Sequence, residues 1–243
     1  MQAPWLKNKY GCLRNIAMQA PWLKNKYGCL RNISITLIQM MENAGRGLAM
    51  LARRYLADNL NGKHIVVLAG SGGNGGGSMV AARRLLAWGA NVQVYTTRVP
   101  TELSGVPAHQ LQILQSMQVP VYNRKPGNAN PPDLILDGIV GYSLKGAPRG
   151  VAAEYISWTR LQAAPILSLD TPSGLDTTSG EAFEPGIKAT ATLTLALPKR
   201  GLQHPRIGTL YLADISVPAD LYEKYLGIEL PQLFTHGDIV RLI

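Results

Sequence analysis

The chain has 243 residues, 46% hydrophobic and 16% charged, a globular composition that suits one substantial α/β domain or two small ones. No apolar run is long enough to span a bilayer and nothing resembles a secretory signal, so the sequence points away from a membrane and fits a cytoplasmic setting. The net charge of +9 invites a nucleic-acid reading, but six of the positive charges lie in acid-free residues 1–34; removing six from nine leaves +3, an ordinary surface balance that argues against direct nucleic-acid binding.

Residues 1–16 recur letter for letter as residues 18–33. An exact doubling is not a solenoid, which needs several diverged, stacking units. Residues 1–34 therefore read as a duplicated basic leader, disordered or artefactual. Its Pro and Gly and scarcity of Ser argue against a mitochondrial transit peptide. Cys12 and Cys29 both fall in this leader, so the rest of the chain offers no disulfide framework and no cysteine metal site, and a reducing compartment fits.

From residue 35 a regular pattern begins. Leu37, Met40, Met41, Ala44, Leu48 and Leu51 recur at helical spacing and predict a helix over 35–59. Strands are expected at 64–69, 91–95, 119–122, 134–137, 166–170, 190–197 and 209–215, with helices at 78–88, 107–117 and 151–163. Residues 124–132 read as a Pro/Gly/Asn loop. Alternating strands and helices predict a single α/β domain over 35–243, with a mainly parallel sheet covered on both faces.

Two strand ends carry the chemistry. After the apolar run 64–69 comes Gly70-Ser-Gly-Gly-Asn-Gly-Gly-Gly-Ser78, and after 166–169 comes Asp170-Thr-Pro-Ser-Gly-Leu-Asp176. In an open α/β sheet, ligands bind beyond the carboxyl ends of the strands. Gly70-x-Gly72-x-x-Gly75 matches the dinucleotide fingerprint, in which small residues let backbone N–H groups approach a phosphate. The next strand, however, ends Tyr95-Thr96-Thr97-Arg98, without the acid that holds ribose hydroxyls in dehydrogenases. Arg98 there either meets a 2′-phosphate or is solvated. No Lys-Ser/Thr follows the glycines, so this is not a Walker loop. Asp137 and Asp170 end neighbouring strands, each beside a glycine turn, where they suit cation binding or acid–base work. The oxygens of Asn74, Asp137 and Ser173 suit a hard monovalent cation better than zinc. The four histidines show no metal spacing, and no Gly-x-Ser-x-Gly elbow is present.

Five stretches taken in order resemble the YjeF N-terminal domain family, the NAD(P)H-hydrate epimerases. They are Met40-Met-Glu-Asn-Ala-Gly45, residues 70–85, Asp133-Leu-Ile-Leu-Asp-Gly-Ile-Val-Gly141, residues 170–176 and Leu197-Pro-Lys-Arg-Gly-Leu202. The resemblance implies a three-layer α/β/α Rossmann-like sandwich that often dimerises. It implies interconversion of the R and S epimers of NADHX and NADPHX, with the S form passed to an ATP- or ADP-dependent dehydratase on another chain. Carried over by position, Gly73, Asn74, Gly75, Gly76 and Gly77, with Gly141, Tyr142, Ser143, Leu144, Lys145, Gly146 and Ala147, would cradle the substrate. Asp170 would sit at the reacting ring as the catalytic group. Asn74, Asp137 and Ser173 would hold a potassium ion, and Lys145 with the loop amides would hold the pyrophosphate. Glu42 and Asn43 either approach the site or pack the first helix. The family's loop usually reads Asn-Asn-Gly-Gly-Asp-Gly; here residues 73–78 read Gly-Asn-Gly-Gly-Gly-Ser. That departure keeps a second reading open, a non-catalytic binding module resembling the domain that ends the mRNA-decapping scaffold. A third, a nicotinamide-dependent oxidoreductase, is disfavoured by Thr96-Thr97-Arg98.

Overall fold

The computed structural model describes residues 35–227 and 229–242, so the duplicated leader lies outside the described residues. Thr36 opens the first helix, α1 (Leu37–Tyr55), through a capping box: its backbone N–H donates to Gln39 Oε1 at 2.8 Å and its Oγ1 accepts from the Gln39 N–H at 3.4 Å. The cap explains why the helix starts two residues later than its apolar pattern.

Eight strands follow in one sheet: β1 (His64–Ala69), β2 (Asn91–Thr96), β3 (Val121–Tyr122), β4 (Leu134–Gly138), β5 (Ile166–Leu169), β6 (Ala191–Leu195), β7 (Thr209–Ala213) and β8 (Ile239–Arg241). Their spatial order is β3-β2-β1-β4-β5-β6-β7-β8, all parallel except the antiparallel β8. The central strands read as unbroken apolar runs because both faces are covered. Along β1, Ile65, Val67 and Ala69 join the larger core beneath α1, α2 (Gly73–Ala87) and α3 (Gly105–Ser116). Val66 and Leu68 join the opposite core, which holds Tyr155, Ile156 and Trp158 of α4 (Gly150–Thr159). The expected three-layer α/β/α sandwich is therefore present.

The largest local correction is α2. The sequence predicts its start at residue 78, yet it starts at Gly73, with Gly72 as an N-cap that makes no side-chain cap bond. Glycine is a poor helix former, so packing decides this turn against propensity. A Cβ at Gly75 would lie 1.8 Å from the Gly70 carbonyl oxygen. The helix can approach the end of β1 only because that Cβ is missing. Further corrections are smaller, and the first is that the helix expected over 35–59 ends at Tyr55. The helix expected over 151–163 ends at Thr159, and two elements of the C-terminal region, α5 (Ala219–Leu226) and β8, add to the expected set. Both are short, eight residues for α5 and three for β8.

The ends of β1 and β4 meet tightly against α2. Gly70 N–H donates to the Gly138 carbonyl at 2.9 Å. Ser78 Oγ donates to the Gly75 carbonyl at 2.9 Å and occupies space that a side chain at 138 would need. A Cβ at Gly138 would lie 2.4 Å from Ser78 Oγ and 2.7 Å from the Asn74 carbonyl oxygen. Gly138→Ala is therefore expected to destabilise the protein by about 1–3 kcal/mol, the usual cost of overpacking. Adding Ser78→Gly should recover only part of that, because the Asn74 carbonyl stays in place. Urea denaturation of the single and the double variant beside the wild type checks both statements.

Candidate active site

In the sheet order, β2 and β3 lie to one side of β1, and β4 onward lie to the other. The direction of winding thus reverses between β1 and β4, and the carboxyl ends of these strands open the crevice typical of such a switch point. A cavity of about 730 Å³ lies there, walled by Gly72, Gly73 and Asn74 after β1, Thr97 and Arg98 after β2, and Gly141, Tyr142 and Ser143 after β4, with Arg149 and the first turn of α4 closing the rim. Two helix N-termini, those of α2 and α4, open into it, and neither carries a side-chain cap. Their unpaired N–H groups and aligned peptide dipoles favour negative charge.

Beneath the crevice Asp137 is buried, with 0% exposure. Its carboxylate takes four donors: Ile139 N–H (3.2 Å) and Ser173 Oγ (2.6 Å) on Oδ1, Ser168 Oγ (2.8 Å) and Ser173 N–H (2.9 Å) on Oδ2. All four donors are neutral. Burial pushes its pKa up, while the hydrogen bonds from Ser173, Ser168 and Ile139 pull it down and only partly offset that rise. A carboxyl with a folded-state pKa above its unfolded value binds its proton more tightly when folded. Its contribution to stability is therefore lost as pH rises from the ordinary aspartate range through the raised value.

Ser173 Oγ also accepts from the Val140 N–H at 2.9 Å and lies 3.3 Å from the Val140 carbonyl oxygen. Asn74 donates from Nδ2 to the Leu169 carbonyl at 2.6 Å, and a Cβ at Gly141 would lie 2.6 Å from that same nitrogen. No donor reaches Asn74 Oδ1 among the described residues. The structure thus brings Asn74, Asp137 and Ser173 to one place, around the ends of β1, β4 and β5.

Asp170 follows β5 with a left-handed backbone, φ 67°, unusual for a residue other than glycine. Its carboxylate turns toward β6: Oδ1 accepts from the Leu195 N–H at 3.2 Å and pairs with Lys199 Nζ. Lys199 also donates to Thr194 Oγ1 and to the Leu195 carbonyl, each at 2.9 Å. Both ends of the pair are nearly closed to solvent, Asp170 at 1% and Lys199 at 7% exposure. Next to Asp170, the Thr171 hydroxyl is buried without a hydrogen-bond partner. An unmade bond of that kind costs about 1–3 kcal/mol, and it is a common mark of a place where substrate or water completes the network.

The expected cradle divides. Gly73, Asn74, Gly141, Tyr142 and Ser143 line the cavity, whereas Leu144, Lys145, Gly146 and Ala147 are not among its walls. Gly75, Gly76 and Gly77 are buried in α2; a Cβ at Gly76 would press on Met41 Sδ, and one at Gly77 on Leu169 Cδ2. Asp170 stands one residue beyond Leu169, whose carbonyl Asn74 grips, and is not a wall residue. Lys145 is exposed, and the cationic side chains lining the cavity are Arg98 and Arg149. Glu42 packs the helices: it pairs with Arg83 and accepts from Gln110 Nε2 at 3.0 Å. Asn43 Nδ2 donates to Ser216 Oγ at 3.1 Å. Sequence reasoning missed Arg149, Thr171 and the role of Lys199. The Pro-Lys-Arg-Gly stretch is visible in the sequence, but nothing in its spacing pairs a lysine with an aspartate 29 residues away.

Residues 37–201 match the family model for the YjeF-related protein N-terminus. The NAD(P)H-hydrate epimerase of Dehalogenimonas lykanthroporepellens is 41% identical over 209 residues, which cover 85% of this chain and 84% of that protein. The bifunctional NAD(P)H-hydrate repair enzyme Nnr of Moorella thermoacetica is 34% identical over 199 residues, 77% of this chain but only 38% of that longer protein. The crystal structure of yeast ynu0 (YNL200c) superimposes with a TM-score of 0.73 at 29% identity, covering 86% of this chain and 92% of that one.

Truncating one member of a buried ion pair leaves the other uncompensated, which typically costs about 3–5 kcal/mol. Lys199→Met is expected to lose stability on that scale. Combining it with Asp170→Asn should recover most of the loss, since no buried charge then remains at the pair. Urea unfolding of the single and double variants gives the comparison.

Proposed function

This chain belongs to the YjeF-related N-terminal family, and we propose that it acts as an NAD(P)H-hydrate epimerase on the hydrated nicotinamide ring of NADHX and NADPHX, with Asp170 as the proton-exchanging group. The 41% identity to an epimerase over 85% of the chain carries the activity. The binding-module reading loses ground, because Asn74, Asp137, Asp170 and Ser173 all survive the altered glycine loop.

The reaction needs no redox change. The hydrate carries a hydroxyl on the carbon next to the ring nitrogen. By one route the hydroxyl is protonated and leaves as water, the nitrogen lone pair forms an iminium, and water returns to the other face while giving up a proton. By the other, the hydroxyl proton is removed, the carbon–nitrogen bond opens to an aldehyde as its electron pair goes to nitrogen, which takes the proton, and the nitrogen recloses on the other face of the carbonyl while the proton returns to the new hydroxyl. Either route takes one proton and returns one, so a single carboxyl that exchanges a proton suffices. Lys199 compensates the charge of that carboxylate and holds Oδ1, and the buried Thr171 hydroxyl next to it has no protein partner. Because Asp170 is 1% exposed, the ring must enter past Asn74, or the carboxylate must turn outward. The pyrophosphate fits the uncapped N-termini of α2 and α4 with Arg149, in place of Lys145.

Potassium is part of the same reading. The open Oδ1 of Asn74, the remaining lone pair of Ser173 Oγ and the Val140 carbonyl are hard neutral oxygens beside a buried carboxylate with only neutral donors. That set suits a weakly held monovalent cation. The ion would supply positive charge next to Asp137 and near the substrate end of the cavity. The S epimer then passes to an ATP- or ADP-dependent dehydratase. The fusion of two repair activities in the Moorella relative accords with that coupling.

Asp170→Asn should lower epimerisation of purified (R)-NADPHX by at least about a hundredfold, the usual scale for losing a general acid–base group. The readout is NADPH recovered by an S-specific dehydratase. A folded variant with near-normal turnover would remove Asp170 from the mechanism. Potassium chloride should raise the melting temperature above that in choline chloride of equal ionic strength, and Asn74→Ala should abolish the difference.

A further inference from the structure

The cavity extends from the helix N-termini that would hold the pyrophosphate to the end of β2. Along the sheet edge the strand ends run β2, β1, β4, β5. At about 4.8 Å per strand, β2 and β5 stand roughly 14 Å apart, a span that suits two nucleosides joined by a pyrophosphate. With the nicotinamide ring at β5, the adenosine ribose falls at β2.

The end of β2 is built as a fixed platform. The Thr96 carbonyl accepts from Asn123 Nδ2 at 2.7 Å and from the Tyr155 hydroxyl at 2.9 Å. Burial pushes the pKa of Tyr155 up to about 12, with smaller contributions from Glu154 and Tyr95, so it remains a neutral donor. Thr97 N–H donates to the Ala69 carbonyl at 3.0 Å, which ties this end to β1. Beyond the platform, Arg98 and Glu102 both line the cavity and pair with each other at 3.5 Å across the Pro100–Glu102 turn. Their side chains are 63% and 54% exposed, so an incoming anion or hydroxyl can compete for either partner at little cost.

We propose that Arg98 and Glu102 form a coenzyme-discriminating pair, Arg98 binding the 2′-phosphate of NADPHX and Glu102 accepting the 2′-hydroxyl of NADHX. The inference rests on the epimerase reading for the identity of the substrate. An arginine meets a phosphate through charge-assisted, often bidentate bonds, and a carboxylate accepts from a ribose hydroxyl but repels a phosphate. The two groups therefore act in opposite directions on the same choice, and their mutual ion pair keeps either from dominating when the site is empty.

The test compares kcat/KM for NADPHX with that for NADHX in the wild type, Arg98→Ala and Glu102→Gln. In Arg98→Ala the NADPHX:NADHX ratio should fall about tenfold, carried by KM for NADPHX, the low end for a charged hydrogen bond at an exposed site. In Glu102→Gln the same ratio should rise. Equal losses on both substrates, or an unchanged ratio in both variants, overturn the inference while leaving the epimerase assignment standing. If the wild type does not epimerise, that assignment fails, and titration with adenosine 2′,5′-bisphosphate against 5′-AMP decides the pair separately. Selective binding of the bisphosphate that disappears in Arg98→Ala supports it, and equal binding of the two nucleotides refutes it.

Discussion

Asp137 sits at the end of β4 with no solvent contact, and its four hydrogen bonds fix the geometry of the whole crevice floor. Two come from Ser173, one from Ser168 within β5 and one from Ile139 in its own loop. A carboxylate offers about four acceptor positions, so each donor has one place to go. The turn after β5 is thereby pinned to the loop after β4. Ser173 passes that order on to Val140, and the Val140 segment leads directly into Gly141 and the cavity wall. Removing the carboxylate would orphan several buried donors at once, which makes this residue more than a candidate ion ligand.

The second constraint is steric. The backbones at the ends of β1 and β4 and the first turn of α2 come so close that side chains are excluded at Gly70, Gly75 and Gly138. This changes what the glycine-rich stretch is for. Read as a sequence, it is a flexible loop offering amides to phosphate. In the fold only its beginning, residues 71–74, faces the cavity, while Gly75, Gly76 and Gly77 pack against the end of β1, α1 and β5. The departures from the family pattern at 77 and 78 thus fall on packed positions, where Ser78 finds its acceptor in the helix's own Gly75 carbonyl, whereas the departure at 73 falls on the cavity wall.

The sheet is legible in the sequence because its strands are apolar on both faces and bounded by glycine turns; β1, β4 and β5 differ from expectation by no more than one residue. The start of α2 is not legible, because propensity disfavours glycine in a helix and only tertiary contacts reverse that preference. The same divide runs through the site. Asn74, Asp137 and Ser173 announce themselves as polar residues at strand ends, and the fold gathers them. Lys199 and Arg149 do not: Lys199 stands in the loop four residues after β6 and Arg149 directly before α4, and neither position marks its side chain as meeting Asp170 or the cavity. Lys145 lies in the motif expected to hold the pyrophosphate, yet its turn carries it off the cavity wall.

The two aspartates of the site, both buried, have unlike electrostatic surroundings, and the difference bears on the work proposed for each. Asp170 has an ammonium in contact, so its charge is compensated within the protein, although Lys199 must then be held out of water. Asp137 has hydroxyl and amide donors, and burial outweighs them in setting the direction of its pKa. A proton carrier must change charge during turnover, and a neighbouring lysine keeps the local sum within one unit as it does so. A fixed ligand must not change charge, and the simplest way to keep Asp137 ionised is a cation from solution held by the open oxygens beside it. The roles proposed for Asp170, as proton carrier, and for Asp137, as anchor for potassium, each accord with that balance of charge; in the exchanged roles the proton carrier would be the carboxylate with neutral donors alone, and its charge would be buried without a counter-charge.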